Sequence, residues 1–332
     1  MMKSVKQIAL LGLSCLLTAA AGLLHAATLP GPVVSTAWLA SHLDEVQLID
    51  VRSNPASFSA QPEIETDAKT GKKVLQEVGG HIAGAQLLDA KLMRTDRMID
   101  GQKIKYMIPE AADFAKLVQS LGVNGGKAIV LMSPATDIGE VNDALRMYWQ
   151  FKVYGEDNIA VLDGGLAAWL LEGRAYALDK PAAKTGNWRV LADRTARYFA
   201  GTAEVRQAVA QHSASLVDAR DLKSYHGLVK RDYVAGYGHI EGARLFPTEL
   251  LMKSDGGALK FMSANTYRAL LAGQGIDSSA PAISYCNSGH LSSGPWFVMS
   301  ELLANTAVRL YDGSLHEWTM EKQPLTGAVP LN

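Results

Sequence analysis

The sequence is poor in cysteine, with only 2 in 332 residues. This scarcity excludes a disulfide framework and a cysteine-rich zinc site. The 8 histidines form neither an HExxH motif nor a pair at metal-ligand spacing, so we expect no bound metal. The motifs GxGxxG and GxxxxGK[ST] are also missing. Their absence removes the common nucleotide-binding loops, and we expect no cofactor.

An excess of charge of one sign is lacking too. Lys and Arg number 32, Asp and Glu number 33, and the formal net charge is -1. Proteins that bind nucleic acid usually carry a basic excess, so we expect no nucleic-acid partner. Hydrophobic residues make up 48% and charged residues 20% of a chain long enough for two domains. A packed globular interior is therefore expected.

The segment 1–26 has the order of a secretory signal peptide. Lys3 and Lys6 form a basic start, the run 8–24 is apolar, and small residues lead to Ala26. The apolar run is at the short edge for crossing a membrane, although a membrane anchor stays open as an alternative. We expect cleavage near Ala26, no stable membrane insertion afterwards, and a periplasmic or secreted mature protein.

Cleavage would leave a single cysteine, because Cys15 would be removed and Cys286 would remain. A lone thiol in an exported protein cannot form an internal disulfide. Cys286 is therefore either an inert buried residue or a free reactive group.

The chain contains an internal repeat. Three blocks occur twice in the same order: LIDVR at 48–52 and LVDAR at 216–220, GHIAGA at 80–85 and GHIEGA at 238–243, VLDGGLAAW at 161–169 and LYDGSLHEW at 310–318. We interpret them as two copies of one domain, 33–174 and 199–323. The linker 175–198 is expected to be ordered, because Trp188 and Tyr198 are large rings that favour burial.

Strand and helix patterns alternate within each copy. Short apolar runs predict buried strands at 47–51, 128–132, 159–162, 215–219, 282–285 and 308–311. Apolar spacings of three and four predict helices around 114–121 and 267–271. The alternation predicts an α/β fold in each copy, with a mainly parallel sheet flanked by helices.

Cys286 follows the predicted strand 282–285, and a polar loop then leads to a predicted helix at 296–304. Ligands of open α/β sheets bind beyond the carboxyl ends of the strands. Pro295 suits the first helical position, and the small polar residues before it can cap the helix. Loop N–H groups and the helix dipole would favour a thiolate, so we predict that Cys286 is a nucleophile. A small buried hydrophobic role is the alternative.

Taken together, the DVR/DAR, GHIxGA and DGxxxxW motifs and the cysteine loop resemble the rhodanese family of sulfurtransferases. The two copies resemble the tandem thiosulfate and 3-mercaptopyruvate sulfurtransferases. The resemblance implies that Cys286 takes a sulfane sulfur from a small donor anion such as thiosulfate, forming a persulfide. The acceptor would be a thiol, a cyanide-like nucleophile or a protein. The implied active-site loop consists of Asn287, Ser288, Gly289, His290 and Leu291.

The first copy has no cysteine in the corresponding loop, which begins at Ser133, so it is expected to be a supporting domain. The thiosulfate enzymes carry basic side chains in the active loop, where this chain has Asn287 and Ser288. We therefore expect weak, salt-dependent thiosulfate binding, with a 3-mercaptopyruvate donor as the alternative. Arg220 faces the donor anion or pairs with Asp218. Three more basic residues are expected near the pocket: Lys223, Lys230 and Arg231.

Two other functions compete with sulfur transfer. A cysteine phosphatase needs an arginine six positions after the cysteine, and Ser292 stands there. A non-catalytic sulfur carrier, loaded at Cys286 by a partner protein, stays open. Because they recur in the first copy, we interpret His239, Asp312 and Trp318 as structural. His290 has no counterpart there and either hydrogen-bonds a substrate or forms a pocket wall.

Overall fold

The computed structural model describes residues 28–180 and 185–330. The predicted signal peptide, with its cleavage point and Cys15, lies outside the described residues. Within these two stretches, no helix is both long enough and apolar enough to cross a membrane.

The first half of the described chain alternates strands and helices. Its strands are β1 Val33–Val34, β2 Val46–Arg52, β3 Glu63–Thr66, β4 Lys73–Glu77, β5 Gln86–Asp89, β6 Thr95–Ile99, β7 Gln102–Met107, β8 Ala128–Met132 and β9 Ile159–Leu162. Its helices are α1 Thr36–Ser41, α2 Ala111–Ser120, α3 Ile138–Val153 and α4 Gly165–Leu171. Short 3-10 turns at Pro55–Ser59 and Ala90–Met93 complete this half.

The second half follows a short helix, α5 Thr195–Tyr198, and repeats the alternation. Its strands are β10 Phe199–Ala200, β11 Ser215–Asp218, β12 Arg244–Leu245, β13 Lys253–Asp255, β14 Ala258–Lys260, β15 Ala282–Tyr285 and β16 Val308–Tyr311. Its helices are α6 Thr202–Gln211, α7 Leu222–Tyr225, α8 Ala264–Gly273, α9 Ser293–Phe297 and α10 Ser314–Met320. A 3-10 turn spans Thr248–Leu250, and a π-helical turn spans Val298–Leu302.

Each half contains a five-stranded sheet with the same order. The first sheet runs β1-β9-β8-β2-β5 and the second runs β10-β16-β15-β11-β12. Every pairing within these two sheets is parallel. All residues of the inner strands β8 and β15 are buried, as expected for strands covered on both faces. The predicted duplicated α/β fold is confirmed.

Two antiparallel hairpins occupy corresponding places in the halves, β6–β7 in the first and β13–β14 in the second. Just after each hairpin, a backbone N–H reaches an aspartate of the other half. Ile108 donates to Oδ2 of Asp312 at 2.7 Å, and Phe261 donates to Oδ1 of Asp163 at 2.8 Å. The two domains therefore hold each other by reciprocal contacts.

A hydrophobic core continues across the domain boundary. Tyr148 of α3 meets Phe297 of α9 edge to face, with ring centroids 4.9 Å apart. The connecting segment contributes Trp188, which is fully buried between Phe114 and Phe151. The prediction that the rings of the linker are buried is confirmed.

The helix after Cys286 differs from its prediction. It begins at Ser293 rather than Trp296 and passes into the π-helical turn after five residues. Ser292 has helical backbone angles and makes no side-chain cap, and Pro295 is the third helical residue rather than the first. The cause is burial, because Trp296 and Phe297 are fully enclosed and packing sets where the helix starts.

Candidate active site

Cys286 lies at the carboxyl end of β15, the central strand of the second sheet. It is 1% exposed and lines a cleft of about 570 Å³. The hydroxyl of Ser314 accepts hydrogen bonds from the N–H groups of Cys286 and Gly289, each at 3.1 Å. The same hydroxyl donates to the carbonyl of Tyr311 at 2.7 Å. One serine thus ties the turn of the loop to strand β16.

The loop after Cys286 offers free amide groups. The N–H groups of Asn287, Ser288, His290 and Leu291 donate to no other group in the described stretches. Successive unpaired N–H groups form anion-binding concavities. Because α9 is short and Ser292 leaves it uncapped, this loop replaces the helix end that the sequence was expected to supply.

Gly289 is required by the close packing of the loop. Its φ is +73°, and an added Cβ would lie 2.5 Å from the carbonyl oxygen of Asp312. The same Cβ would lie 2.7 Å from Nη1 of Arg146. Only glycine combines this backbone conformation with such a close approach.

The neighbour of Gly289 is an arginine of the first domain. Arg146 of α3 is fully buried, and its Nη1 donates to the carbonyl of Gly289 at 2.9 Å. Its Nη2 lies 2.5 Å from Oδ1 of Asp312, and its guanidinium stands 4.5 Å from the ring of Trp149. The first domain therefore fixes the conformation of the second domain's loop. No motif in the sequence pointed to Arg146.

His290 also contacts the first domain. Its Nε2 lies 2.9 Å from Oδ1 of Asp143, whose Oδ2 accepts the Ser53 hydroxyl at 2.6 Å. Burial lowers the pKa of His290 below its ordinary value. The hydrogen bond and charge of Asp143 oppose this shift, while the charges of Arg94 and Arg146 add to it. The ring is therefore neutral near pH 7.

The cleft is built from both domains. Its lining includes Cys286, Asn287, Ser288, His290 and Leu291 of the loop, Arg231 and Tyr233 of the second domain, and Arg94 and Tyr106 of the first. Burial and the charge of Arg146 lower the pKa of Arg94, yet a guanidinium stays protonated in proteins. Arg94 was not foreseen from the sequence, because it lies almost two hundred residues from the thiol.

Of the basic residues expected near the pocket, Arg231 alone lines the cleft among the described residues. Lys223 is exposed, and the ammonium group of Lys230 stands over the ring of Tyr237 at 5.6 Å. Arg231 therefore lies at the cleft as expected, and Arg94 is a second basic residue there that the sequence did not indicate.

Arg220 does not line the cleft, so its prediction as a donor-binding residue is corrected. Its Nε and Nη2 donate to Asp218 at 2.9 and 2.6 Å, and Nη2 also donates to the carbonyl of Gly238. Arg52 makes the same contacts in the first domain, with Asp50 and a glycine carbonyl. An arrangement shared with the domain that lacks a thiol is structural.

The two GHIxGA histidines also have one structural role. Nδ1 of His239 bonds the Tyr225 carbonyl at 2.9 Å while the ring stacks on Tyr225 at 3.8 Å. His81 bonds and stacks on Phe58 in the same way. The structural interpretation of His239 is confirmed.

The first domain has a closed counterpart of the cleft. Leu166 donates to the carbonyl of Ser133 as Leu315 donates to that of Cys286, so these two loop positions correspond. At the first loop, Leu259 of β14 donates to the carbonyl of Ala135 at 2.9 Å, and the hairpin closes against the loop.

The matching contact is missing at the second loop. Phe261 and Ile108 are corresponding residues just after the two hairpins. Two residues earlier in each hairpin, Leu259 therefore corresponds to Tyr106. Its N–H reaches no acceptor of the Cys286 loop in the described chain. Tyr106 instead has a φ of +66°, which is unusual for a bulky residue. The turned backbone at Tyr106 accompanies an open cleft beside Cys286.

Comparisons with known proteins agree with this architecture. The Rhodanese-like domain family matches residues 35–172 and 202–321. A sulfur carrier protein, TtuD of Thermus thermophilus, is 30% identical over 87% of this chain and 94% of its own. A putative thiosulfate sulfurtransferase of Mycobacterium bovis is 33% identical over 75% of this chain and 84% of its own.

Among solved structures, SseA from Escherichia coli has a rhodanese fold and superposes with a TM-score of 0.67 at 24% identity. The superposition covers 86% of this chain and 98% of SseA. The two family matches together span most of the chain, so this protein belongs to the rhodanese family of sulfurtransferases, with two rhodanese-like domains.

Proposed function

We propose that Cys286 accepts a sulfane sulfur from a small anionic donor such as thiosulfate and holds it as a persulfide. The thiolate attacks the outer sulfur of thiosulfate, the S–S bond breaks, and sulfite leaves with the bonding pair. A thiophilic acceptor then removes the sulfur and regenerates the thiolate. The observation that carries the proposal is the position of Cys286 in a cleft lined by Arg94, Arg231 and free loop amides.

Charge decides whether such a donor can approach. Two like charges about 4 Å apart repel by roughly 1 kcal/mol even in bulk water, and more in a partly buried site. The guanidinium groups of Arg94 and Arg231 offset that repulsion. Thiosulfate binding therefore depends on these two arginines, and its weakness and salt dependence stay predictions.

A 3-mercaptopyruvate donor is the second candidate. It presents a carboxylate, which a guanidinium binds with charge-assisted hydrogen bonds. A 3-mercaptopyruvate sulfurtransferase of Escherichia coli is 27% identical over 86% of this chain, which supports this candidate. A carrier role, in which partner proteins load and unload Cys286, is supported by the similarity to a sulfur carrier protein. Turnover with small donors and acceptors separates a catalyst from a carrier.

The test is mass spectrometry of the purified protein after incubation with thiosulfate. We expect a gain of one sulfur atom on the peptide with Cys286, and its loss when cyanide or sulfite is added. Cys286→Ser should abolish both, because an oxygen nucleophile forms no persulfide. Ser133→Ala, at the matching position of the first domain, should change neither. Sulfur transfer by Cys286→Ser near the parent rate would refute the assignment.

We also propose that the protein acts in the periplasm or outside the cell. The support is the basic start, apolar run and small residues of segment 1–26. Sequencing the N-terminus of the protein from its native host should give a start near residue 27. A mature chain that starts at Met1, or carries lipid on Cys15, contradicts this proposal.

A further inference from the structure

The contacts of His290 point to a role beyond lining the cleft. It lies four residues after Cys286, and both residues line the same cleft. A carboxylate can only accept a hydrogen bond, so the contact with Asp143 places the ring proton on Nε2. Asp143 is itself held by the Ser53 hydroxyl. The remaining nitrogen, Nδ1, has no hydrogen-bond partner in the described chain and keeps a free lone pair.

The charged groups around the ring keep it in the basic form. Asp143 favours the imidazolium, whereas burial and the cations Arg94 and Arg146 disfavour it. Burial is the largest of these effects, so the pKa of His290 lies below its ordinary value. At neutral pH, Nδ1 is therefore available to accept a proton.

We propose that His290 is the general base for the sulfur acceptor, and that this acceptor is a protonated thiol. The proposal rests on the proposed function of Cys286, because it concerns the second half of that reaction. Asp143 is the positioning residue that orients the ring across the domain boundary.

The step balances without an external oxidant or reductant. The thiol R–SH gives its proton to Nδ1 of His290 and becomes a thiolate. The thiolate attacks the outer sulfur of the Cys286 persulfide, and a new S–S bond forms. The S–S bond to Cys286 breaks, and its electron pair stays on Sγ. The product leaves as R–S–S⁻, with the charge that the outer sulfur already carried in the persulfide, and His290 returns its proton to water.

A base is needed because an ordinary thiol has a pKa of about 8.5 and is mostly protonated at neutral pH. The thiolate, not the thiol, is the nucleophile. General base catalysis typically contributes about 10²- to 10⁴-fold. Sulfite is the informative comparison, because above pH 8 it attacks through a sulfur lone pair and loses no proton.

The experiment measures both half-reactions in His290→Gln by rapid mixing at pH 8.5. We expect persulfide formation from thiosulfate and sulfur return to sulfite to slow far less than transfer to a thiol. With thiol acceptors the measurement is repeated at pH 7, where only a few per cent of an ordinary thiol is ionised; transfer should fall about 30-fold there, and the deficit should shrink for more acidic thiols and toward pH 8.5. His212→Gln is the matched control, because His212 is exposed and precedes β11, at the edge of the sheet opposite Cys286.

Equal slowing of sulfite and thiol transfer would show that His290 only shapes the loop, and would overturn the proposal. Unchanged thiol transfer would overturn it as well. Failure of the parent protein to form a persulfide refutes the function of Cys286 instead, so the two failures are distinct.

The parent protein gives a second test that needs no variant. With His290 as base, thiol transfer should be nearly constant between pH 7 and 8. Across this range the ring is already neutral and the thiol is still mostly protonated, so the concentrations of base and thiol change little. A tenfold rise per pH unit, which tracks the thiolate fraction, would overturn the proposal. Asp143→Asn should keep the hydrogen bond, remove the charge and lower thiol transfer more than sulfite transfer.

Discussion

Arg94 is the residue that changes how the cleft handles anions. It comes from the first domain, and it lines the cleft with Cys286. We expect Arg94→Gln to raise the KM for thiosulfate about tenfold, since a lost charge-assisted hydrogen bond costs roughly 1.5 kcal/mol or more. Steady-state kinetics at low and high salt measure this effect.

The control for that substitution is Lys91→Gln, an exposed lysine three residues away that does not line the cleft around Cys286. It removes the same charge but should leave the KM for thiosulfate within about twofold, because solvent and salt screen an exposed cation. An Arg94→Gln enzyme with the parent KM at low salt would show that the donor binds without this guanidinium.

Among individual residues, the sequence predicted those that are close to the thiol along the chain. Cys286 and its loop stand together in the chain, and the cleft contains both Cys286 and His290. Arg94, Asp143 and Arg146 approach from another domain, and no local pattern connects them with a cysteine. The signal that was available was polar spacing in α3, whose Asn142, Arg146 and Gln150 recur every four residues inside a buried helix.

At the scale of elements, apolar runs predicted the inner strands well. The predicted strands 128–132, 159–162, 282–285 and 308–311 coincide with β8, β9, β15 and β16. Such strands are buried on both faces, so their sequence alone carries the signal. The hairpins β6–β7 and β13–β14 were not predicted, because their sequences are largely polar and exposed and they are held by contacts with the other domain.

The two hairpins occupy corresponding places but contact the two corresponding loops differently. Strand β14 of the second domain donates a backbone hydrogen bond to the first domain's loop, which lacks a thiol. At the active loop, the backbone turns at Tyr106, and β7 donates no backbone hydrogen bond to that loop within the described chain. A left-handed conformation at Tyr106 therefore accompanies the substrate cleft, and one at Ala135 (φ +59°) accompanies the closed loop. Sequence patterns do not report backbone angles, so this difference could only be seen in the structure.

At the scale of the whole molecule, the first domain is part of the active site and not merely a support. Arg146 fixes the carbonyl of Gly289, Asp143 holds His290, and Arg94 lines the cleft. The core also crosses the boundary, where Trp296 and Phe297 of α9 are fully buried. Burying one large apolar side chain stabilises the folded protein by about 1.5–3 kcal/mol. Separating the domains exposes these side chains to water, and a domain of this size needs their burial to stay folded.

We therefore expect residues 199–330, produced alone, to aggregate or to lose sulfur transfer by at least a hundredfold. The physical reason is that the fragment lacks Arg146 and Asp143 and exposes α9 to water. Gel filtration, circular dichroism and thiosulfate-dependent persulfide formation measure the three consequences. Supplying residues 28–198 as a separate chain is the control, since the reciprocal contacts through Asp163 and Asp312 should restore part of the activity. A fragment that stays folded, soluble and fully active would show that the second domain forms its own site.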